Sequence, residues 1–71
     1  MTDQERLKSL IEESGKTITE ICKNTGIVRQ TLYNKMNGRG DFTATEIQAL
    51  VDELHLTARQ RNEVFFARKV G

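Results

Sequence analysis

The sequence predicts an all-α domain of five helices, and three observations support this prediction. Apolar residues recur at intervals of three and four, as on one face of a helix, and the alternation typical of strands is hard to find. The chain also contains no proline. Four threonines are each followed three residues later by Glu or Gln, which is the capping-box pattern of a helix N-terminus. These pairs are Thr2–Glu5, Thr17–Glu20, Thr43–Glu46 and Thr57–Gln60.

The caps, the glycines and the apolar spacing set the expected helix boundaries. We expect helices over residues 3–14, 18–24, 28–36, 44–54 and 58–69. Gly15 and Gly26 are expected to end the first two helices, because glycine readily adopts the left-handed conformation found at helix C-termini. Phe42 is expected to staple the third loop to the cap at Thr43. The residues expected to face the core are Leu7, Leu10, Ile11, Ile21, Cys22, Ile27, Leu32, Met36, Ala44, Ile47, Leu50, Val51, Leu54, Ala58, Asn62 and Phe65.

The length and the cysteine content indicate one small domain, over residues 1–71, with a narrow stability margin. A chain of this length buries only about 60% of its unfolded surface. Cys22 is the only cysteine and His55 the only histidine, which excludes a disulfide framework and leaves no zinc-binding pattern. We interpret Cys22 as a small core residue and His55 as a helix-end residue beside the C-terminal dipole.

The sequence also argues against an enzyme and against a membrane protein. No Ser/His/acid or Cys/His arrangement and no glycine-rich phosphate loop is visible, so we expect no catalytic residues, metal, cofactor or small-molecule substrate. No apolar run approaches the roughly 18–20 residues of a membrane span. The polar, acidic start of the chain is unlike a secretory signal, so we expect a cytoplasmic protein.

Charge is distributed unevenly, although the net charge is only +1. Residues 27–40 contain Arg29, Lys35 and Arg39 but no acid, whereas residues 41–56 contain four acids and neither lysine nor arginine. The positive block coincides with the third expected helix and the loop after it. A local positive block is typical of a nucleic-acid-binding surface, and the acidic block would have to face away from DNA.

The stretch between Gly26 and Gly38 is the most informative part of the chain. Within it, three apolar residues share one helical face, and the opposite face is polar without an acid. That polar face holds Arg29, Gln30, Tyr33, Asn34 and Asn37. Arg, Gln and Asn carry forked donor and acceptor groups that match base edges in the DNA major groove. The segment therefore predicts a DNA-recognition helix, and the alternatives are an ordinary solvated face or a protein-binding face.

The order and lengths of these helices resemble the five-helix DNA-binding domain of phage Cro proteins and lambda-type repressors, over essentially the whole chain. The positions that carry the resemblance are Thr17, Glu20, Ile21, Cys22, Gly26, Ile27, Arg29, Gln30, Thr31, Leu32, Asn37 and Gly38. The later segments 41–47 and 62–67 are similar to small prophage regulators of Gram-positive bacteria. Some of those are Cro-like repressors, and others are modulators of repression, as in lactococcal temperate phages, that pair with the phage repressor.

The resemblance implies a compact helix-turn-helix domain that regulates transcription by occupying a double-stranded DNA operator in a bacterial host cell. It implies that Arg29, Gln30 and Asn34 contact bases. The residues that it implies as phosphate contacts are Thr17, Thr31, Tyr33, Lys35, Asn37 and Arg39. Domains of this kind usually act as pairs on two half-sites, so a homodimer is expected as one possibility.

Two departures from the family pattern leave a second function open. Ile18 stands where the family often has a phosphate-binding Gln, and Val28 stands where it often has a capping Ser or Thr. Together they could form an apolar spot on the DNA-facing side, suited to a protein such as the phage repressor. The last helix also has apolar residues on more than one side, so Val64, Phe66 or Val70 could form a second apolar patch for a partner. The second alternative is therefore that the chain is an anti-repressor or modulator that acts by binding the phage repressor protein.

Overall fold

A computed structural model describes residues 2–66 of the chain, and within them it contains five α-helices and no strand. The helices are α1 (Gln4–Ser14), α2 (Ile18–Thr25), α3 (Arg29–Met36), α4 (Ala44–Leu54) and α5 (Ala58–Phe65). The predicted all-α class and the five-helix order are confirmed. The predicted boundaries agree to within one residue, except at the end of the last helix.

Three of the four predicted capping boxes are present. In the boxes that begin at Thr17, Thr43 and Thr57, the threonine hydroxyl accepts from the N–H three residues later. The side chain at that third position in turn accepts from the N–H of the threonine, so two otherwise unpaired donors are satisfied.

The predicted Thr2–Glu5 box at the start of α1 is wrong. Asp3 is the N-cap, and its carboxylate accepts a hydrogen bond from the N–H of Arg6 at 3.0 Å. The physical reason is a contact with the far end of the chain, because the Asp3 N–H donates to the carbonyl of Val64 at 2.6 Å. Asp3 is thereby held in the extended conformation of a cap, and the helix starts one residue later than expected.

The helix C-termini end in two ways. Gly15 and Gly26 take the left-handed conformation as predicted, with φ of 72° and 76°. His55 ends α4 in the same conformation with φ of 54°, although it is not glycine. The last helix is expected to reach residue 69, but α5 ends at Phe65. Its C-cap is Phe66, whose backbone is no longer helical. Residues 67–69 lie outside the described part.

Each helix contributes one completely buried side chain to the core. These five are Leu7, Ile21, Leu32, Leu50 and Val64. Phe42 and Phe65 close one end of the core with an edge-to-face contact between rings 5.5 Å apart. The core is therefore shared by all five helices, so α3 is fixed by packing rather than by its own helical propensity.

Four predicted positions need correction. Val64 was expected as a possible interface residue, but its side chain is fully buried in the core and cannot reach a partner. Ala44, Ala58 and Asn62 were expected to face the core and are exposed instead. In α5 the inward side is centred between Val64 and Phe65, so Ala58 and Asn62, which lie on the far side of Phe65 from Val64, fall outside it.

None of the helices described within residues 2–66 combines the length and the apolar character needed to cross a membrane.

Candidate nucleic-acid interface

A three-residue turn joins α2 to α3 and fixes how α3 is presented. Gly26 reverses the chain with φ of 76°, and Ile27 anchors the turn in the core. The hydroxyl of Thr25 donates to the carbonyl of Ile21 at 2.7 Å and accepts from the N–H of Ile27 at 3.3 Å. Leu32 and Met36 bury the inner face of α3. The outer face of α3 is consequently held in a defined orientation.

The three predicted base-contacting side chains lie on this outer face. Arg29 and Gln30 are exposed at the first turn of α3, and Asn34 is half-buried one turn later. The side-chain amide of Gln30 donates to Asn34 Oδ1 at 3.1 Å. The guanidinium carbon of Arg29 lies 5.9 Å from the ring centroid of Tyr33, in cation–π range. The face therefore presents an amide pair beside an arginine that stacks on an aromatic ring.

The α3 N-terminus is open to an anion, whereas the α2 N-terminus is not. Val28 is the N-cap of α3 and has no side-chain oxygen, so the first N–H groups receive no cap, and the first turn contains no acid. At α2, the Glu20 carboxylate lies against the cap and accepts from the N–H of Thr17 at 3.3 Å. A phosphate is favoured by the free donors of α3 and disfavoured by the carboxylate at α2.

The predicted phosphate-contacting residues are divided between free and engaged side chains. Arg39 and Tyr33 are exposed, and Thr31 is half-buried. Thr17 is exposed, but its hydroxyl already serves the capping box of α2. Asn37 lies at the end of α3, where its Oδ1 accepts from Lys8 Nζ at 3.3 Å. These positions stay predictions as DNA contacts.

Lys8 is a residue that the sequence argument missed. It lies on α1, outside the positive block, and its hydrogen bond to Asn37 brings a cation to the C-terminal end of the α3 face. No local pattern marks it, because the contact joins positions 29 residues apart.

Lys35 is the predicted phosphate contact whose charge is already paired. Its ammonium lies 2.5 Å from Glu46 Oε1, and both side chains are only 18% exposed. Partial burial raises the pKa of Glu46, but hydrogen bonds from Lys35 and Thr43, together with the Lys35 charge, outweigh it and lower the pKa below that of a free glutamate. The pair links the C-terminal half of α3 to the first turn of α4.

A second ion pair holds α4 against the rest of the domain. Lys16 Nζ donates to the backbone carbonyl of Glu53 at 2.8 Å and to its Oε1 at 3.0 Å, and Asn24 donates to Oε2 at 2.6 Å. These hydrogen bonds from Asn24 and Lys16 lower the pKa of Glu53. Two of the four acids of the 41–56 block are thus engaged by lysines.

Apolar surface occurs beside α3. A groove of about 360 Å³ separates α1 from the start of α2 and one flank of α3, and its apolar walls include Ile11, Ile18 and Met36. Val28 is 67% exposed and does not line this groove, and the predicted apolar spot of Ile18 and Val28 stays a prediction.

A second groove of about 430 Å³ lies between α4 and α5, away from α3, and includes Phe42, Ile47 and Phe66. Phe66 is 54% exposed, in contrast to its buried neighbour Phe65. Val70, the last residue predicted for a partner surface, lies outside the described residues. Cys22 is half-buried and free, and no group of three or more His, Cys, Asp or Glu within residues 2–66 could hold a metal ion.

Comparison with known proteins assigns the segment that contains the first three helices to a helix-turn-helix family. Residues 1–39 match the family model described as the helix-turn-helix domain of resolvase. The matched segment is more than half of the chain and spans α1, the α2–turn–α3 unit and the start of the following loop. Neither a curated protein nor a solved structure gives a significant match. The match and the resemblance to phage Cro proteins and lambda-type repressors have one feature in common, a helix-turn-helix unit of the DNA-binding kind.

Proposed function

The chain belongs to the family of resolvase-type helix-turn-helix domains, and we propose that it is a sequence-specific DNA-binding regulator of transcription, of the phage or prophage Cro-like kind. A helix-turn-helix domain suggests sequence-specific DNA binding in general. The observation that supports this proposal best is the outer face of α3, which presents Arg29, Gln30 and Asn34 without an acid.

In the proposed complex, α3 lies in the major groove and its first turn reads base edges. The Arg29 guanidinium is suited to the O6 and N7 acceptors of guanine. The Gln30 amide is suited to N6 and N7 of adenine, once it gives up its bond to Asn34. Asn34 has a shorter side chain and lies a turn further along, so it reads a base only on close approach.

The flanks and ends of α3 are proposed to hold the phosphate backbone. The uncapped N–H groups after Val28 provide donors at one end of the helix. Tyr33, Asn37 and Arg39 follow along the face toward the other end, where Lys8 adds its charge. Contacts of this kind position the domain without specifying sequence. We propose Thr31 and Thr17 as weaker members of the set, because Thr31 is half-buried and Thr17 caps α2.

The proposed mechanism is operator occupancy, in which the bound domain excludes or redirects the transcription machinery. Two copies on a two-fold operator would place half-sites about 10 bp apart or a multiple of it. No catalytic step is part of the proposal.

Selection from a random duplex library with purified protein at about 0.1 M salt tests this function. We expect enrichment of one short motif, bound at least about 10³-fold more tightly than random DNA. A folded protein that enriches no motif and binds DNA only weakly and uniformly would contradict the proposal.

A second candidate function is suggested by the exposure of Val28. A branched apolar side chain that is 67% exposed at the start of α3 contributes nothing to the core, and an apolar groove lies beside the same helix. Both features suit a protein partner, so an anti-repressor that binds the phage repressor and alters its operator binding is the alternative. Co-purification with a repressor encoded beside this chain would favour it. Tight binding to an operator by the chain alone, with no effect of that repressor, would argue against it.

A further inference from the structure

Lys35 and Glu46 form an ion pair on one flank of α3. At about 100° per residue, Tyr33 and Lys35 lie on opposite sides of the helix, with Asn34 between them. If α3 lies in the major groove, its two flanks face the two phosphate backbones. The Tyr33 flank carries the Tyr33 hydroxyl and has the Lys8 ammonium nearby, bonded to Asn37. On the other flank, the Lys35 ammonium is bound by the Glu46 carboxylate.

The carboxylate that holds Lys35 is itself fixed in place. Glu46 Oε1 accepts from the N–H of Thr43 at 2.8 Å, and Glu46 is the third residue of the α4 capping box. The positive end of the α4 dipole stabilises the ionised form at that position. Lys35 therefore faces a pre-oriented, charged acceptor, and moving Lys35 to a phosphate would leave the partly buried Glu46 carboxylate without its partner.

We propose that Glu46 withholds Lys35 from the DNA backbone and so limits sequence-independent binding by this domain. The inference rests on the proposed DNA-binding function. Each phosphate that a protein cation neutralises makes log K fall by about 0.9 per unit of log salt concentration. With Lys35 masked, the domain binds with one phosphate contact fewer than its sequence suggests, and its non-specific affinity is lower for that reason.

Glu46→Gln is the variant that removes the charge and keeps the cap. Gln60 occupies the equivalent position in the Thr57 box, where its amide oxygen accepts from the Thr57 N–H at 2.9 Å. The variant is therefore expected to fold, which helical circular dichroism would check. Binding to a random-sequence duplex is measured by fluorescence anisotropy between about 50 and 200 mM salt. We expect the salt slope to steepen by about 0.9, so the ratio of the affinities at the two salt concentrations rises about 3.5-fold above the wild-type ratio.

Three further variants make the result specific to Lys35. Lys35→Met keeps the aliphatic stem and should leave the wild-type slope unchanged, and in the double variant the slope should return to the wild-type value. Glu63→Gln is the matched control, because it makes the same charge change at the exposed Arg59–Glu63 pair of α5, which does not contact α3. Its slope should equal that of the wild type.

Each outcome separates the inference from the function on which it rests. An unchanged slope in Glu46→Gln, a slope reduced by about 0.9 in Lys35→Met, or an equal increase in Glu63→Gln would overturn the masking role while DNA binding stands. If neither the wild type nor Glu46→Gln binds any duplex, the proposed DNA-binding function is wrong and the masking role fails with it.

Discussion

Replacing Val28 with threonine should stabilise the domain. Among the helices of residues 2–66, α3 is the one whose N-cap side chain accepts no hydrogen bond from a backbone N–H of the first turn. Val28 has φ of −63° and ψ of 137°, in the same extended region as the Thr43 cap at −75° and 162°. Threonine has nearly the shape of valine, and the new hydroxyl can accept from the N–H of Thr31. The valine methyls are mostly exposed, so little burial is lost.

The expected gain is about 0.5–2 kcal/mol, the usual value of an N-cap hydrogen bond. For a domain of this size, each kcal/mol raises the melting temperature by roughly 4–8 °C. Urea and thermal denaturation, monitored by the helical signal in far-ultraviolet circular dichroism, would measure the change in stability. Val28→Ala is the control, since it removes the methyls without adding an acceptor. The capping argument is refuted if the threonine variant is no more stable than the alanine variant.

The same pair of variants separates the two candidate functions. If Val28 serves a protein partner, both variants should weaken that complex, because both remove apolar contact area. If α3 reads DNA, the threonine variant should keep its operator affinity, since the hydroxyl can cap the helix and still donate to a phosphate. Loss of operator binding in the threonine variant, with the fold intact, would contradict the placement of this end of α3 at the backbone.

Three further predictions concern binding, packing and acid stability. Arg29→Ala should cost about 1–3 kcal/mol on the selected operator and relax preference at one base pair, while Arg59→Ala on α5 should not; equal weakening on all sequences would show that Arg29 contacts only phosphate. Leu50→Ala removes a fully buried side chain and should cost about 2–5 kcal/mol in urea denaturation, so a loss below about 1 kcal/mol would contradict its place in the core. Folding lowers the pKa values of Glu46 and Glu53. The stabilisation from these two carboxylates is therefore complete above about pH 4.3, the ordinary pKa of glutamate, and is lost as the pH falls through their lower native pKa values. A melting temperature that does not change as the pH is lowered from about 4.3 through those values would show that neither carboxylate stabilises the fold.

Helix positions could be predicted because their signals are local. A threonine cap and its partner lie three residues apart, and the glycines that end α1 and α2 act through their own backbone. The error at Thr2 arose where two good caps are adjacent, Thr2 and Asp3. A hydrogen bond between Asp3 and Val64 at the far end of the chain decided between them, and a local pattern does not contain that contact.

The apolar residues at the end of α5 also could not be assigned from local sequence. Val64, Phe65 and Phe66 are consecutive and apolar, so periodicity alone does not say which of them enter the core. The Phe42 ring, which comes from the preceding loop, pairs with Phe65, and Phe66 is left at the surface.

The polar face of α3 was predictable from the spacing of Arg29, Gln30 and Asn34 on one helix, but its electrical surroundings were not. Lys8 reaches the face from α1, and Glu46 neutralises Lys35 from α4. Both contacts join residues on different helices, so the charge available to a ligand differs from the count in the positive block.

The small net charge is therefore compatible with a DNA-binding face. Charges on opposite sides of a domain are screened from each other, because the Debye length at physiological ionic strength is about 8 Å. Glu53 is paired with Lys16 and Glu46 with Lys35, so two acids of the 41–56 block are balanced locally. Arg29 and Arg39 have no acid paired with them among the described residues, and they stay available on the side where α3 is exposed. In the proposed complex these two arginines attract phosphate on the α3 side, and sequence specificity comes from the base contacts rather than from general attraction to DNA.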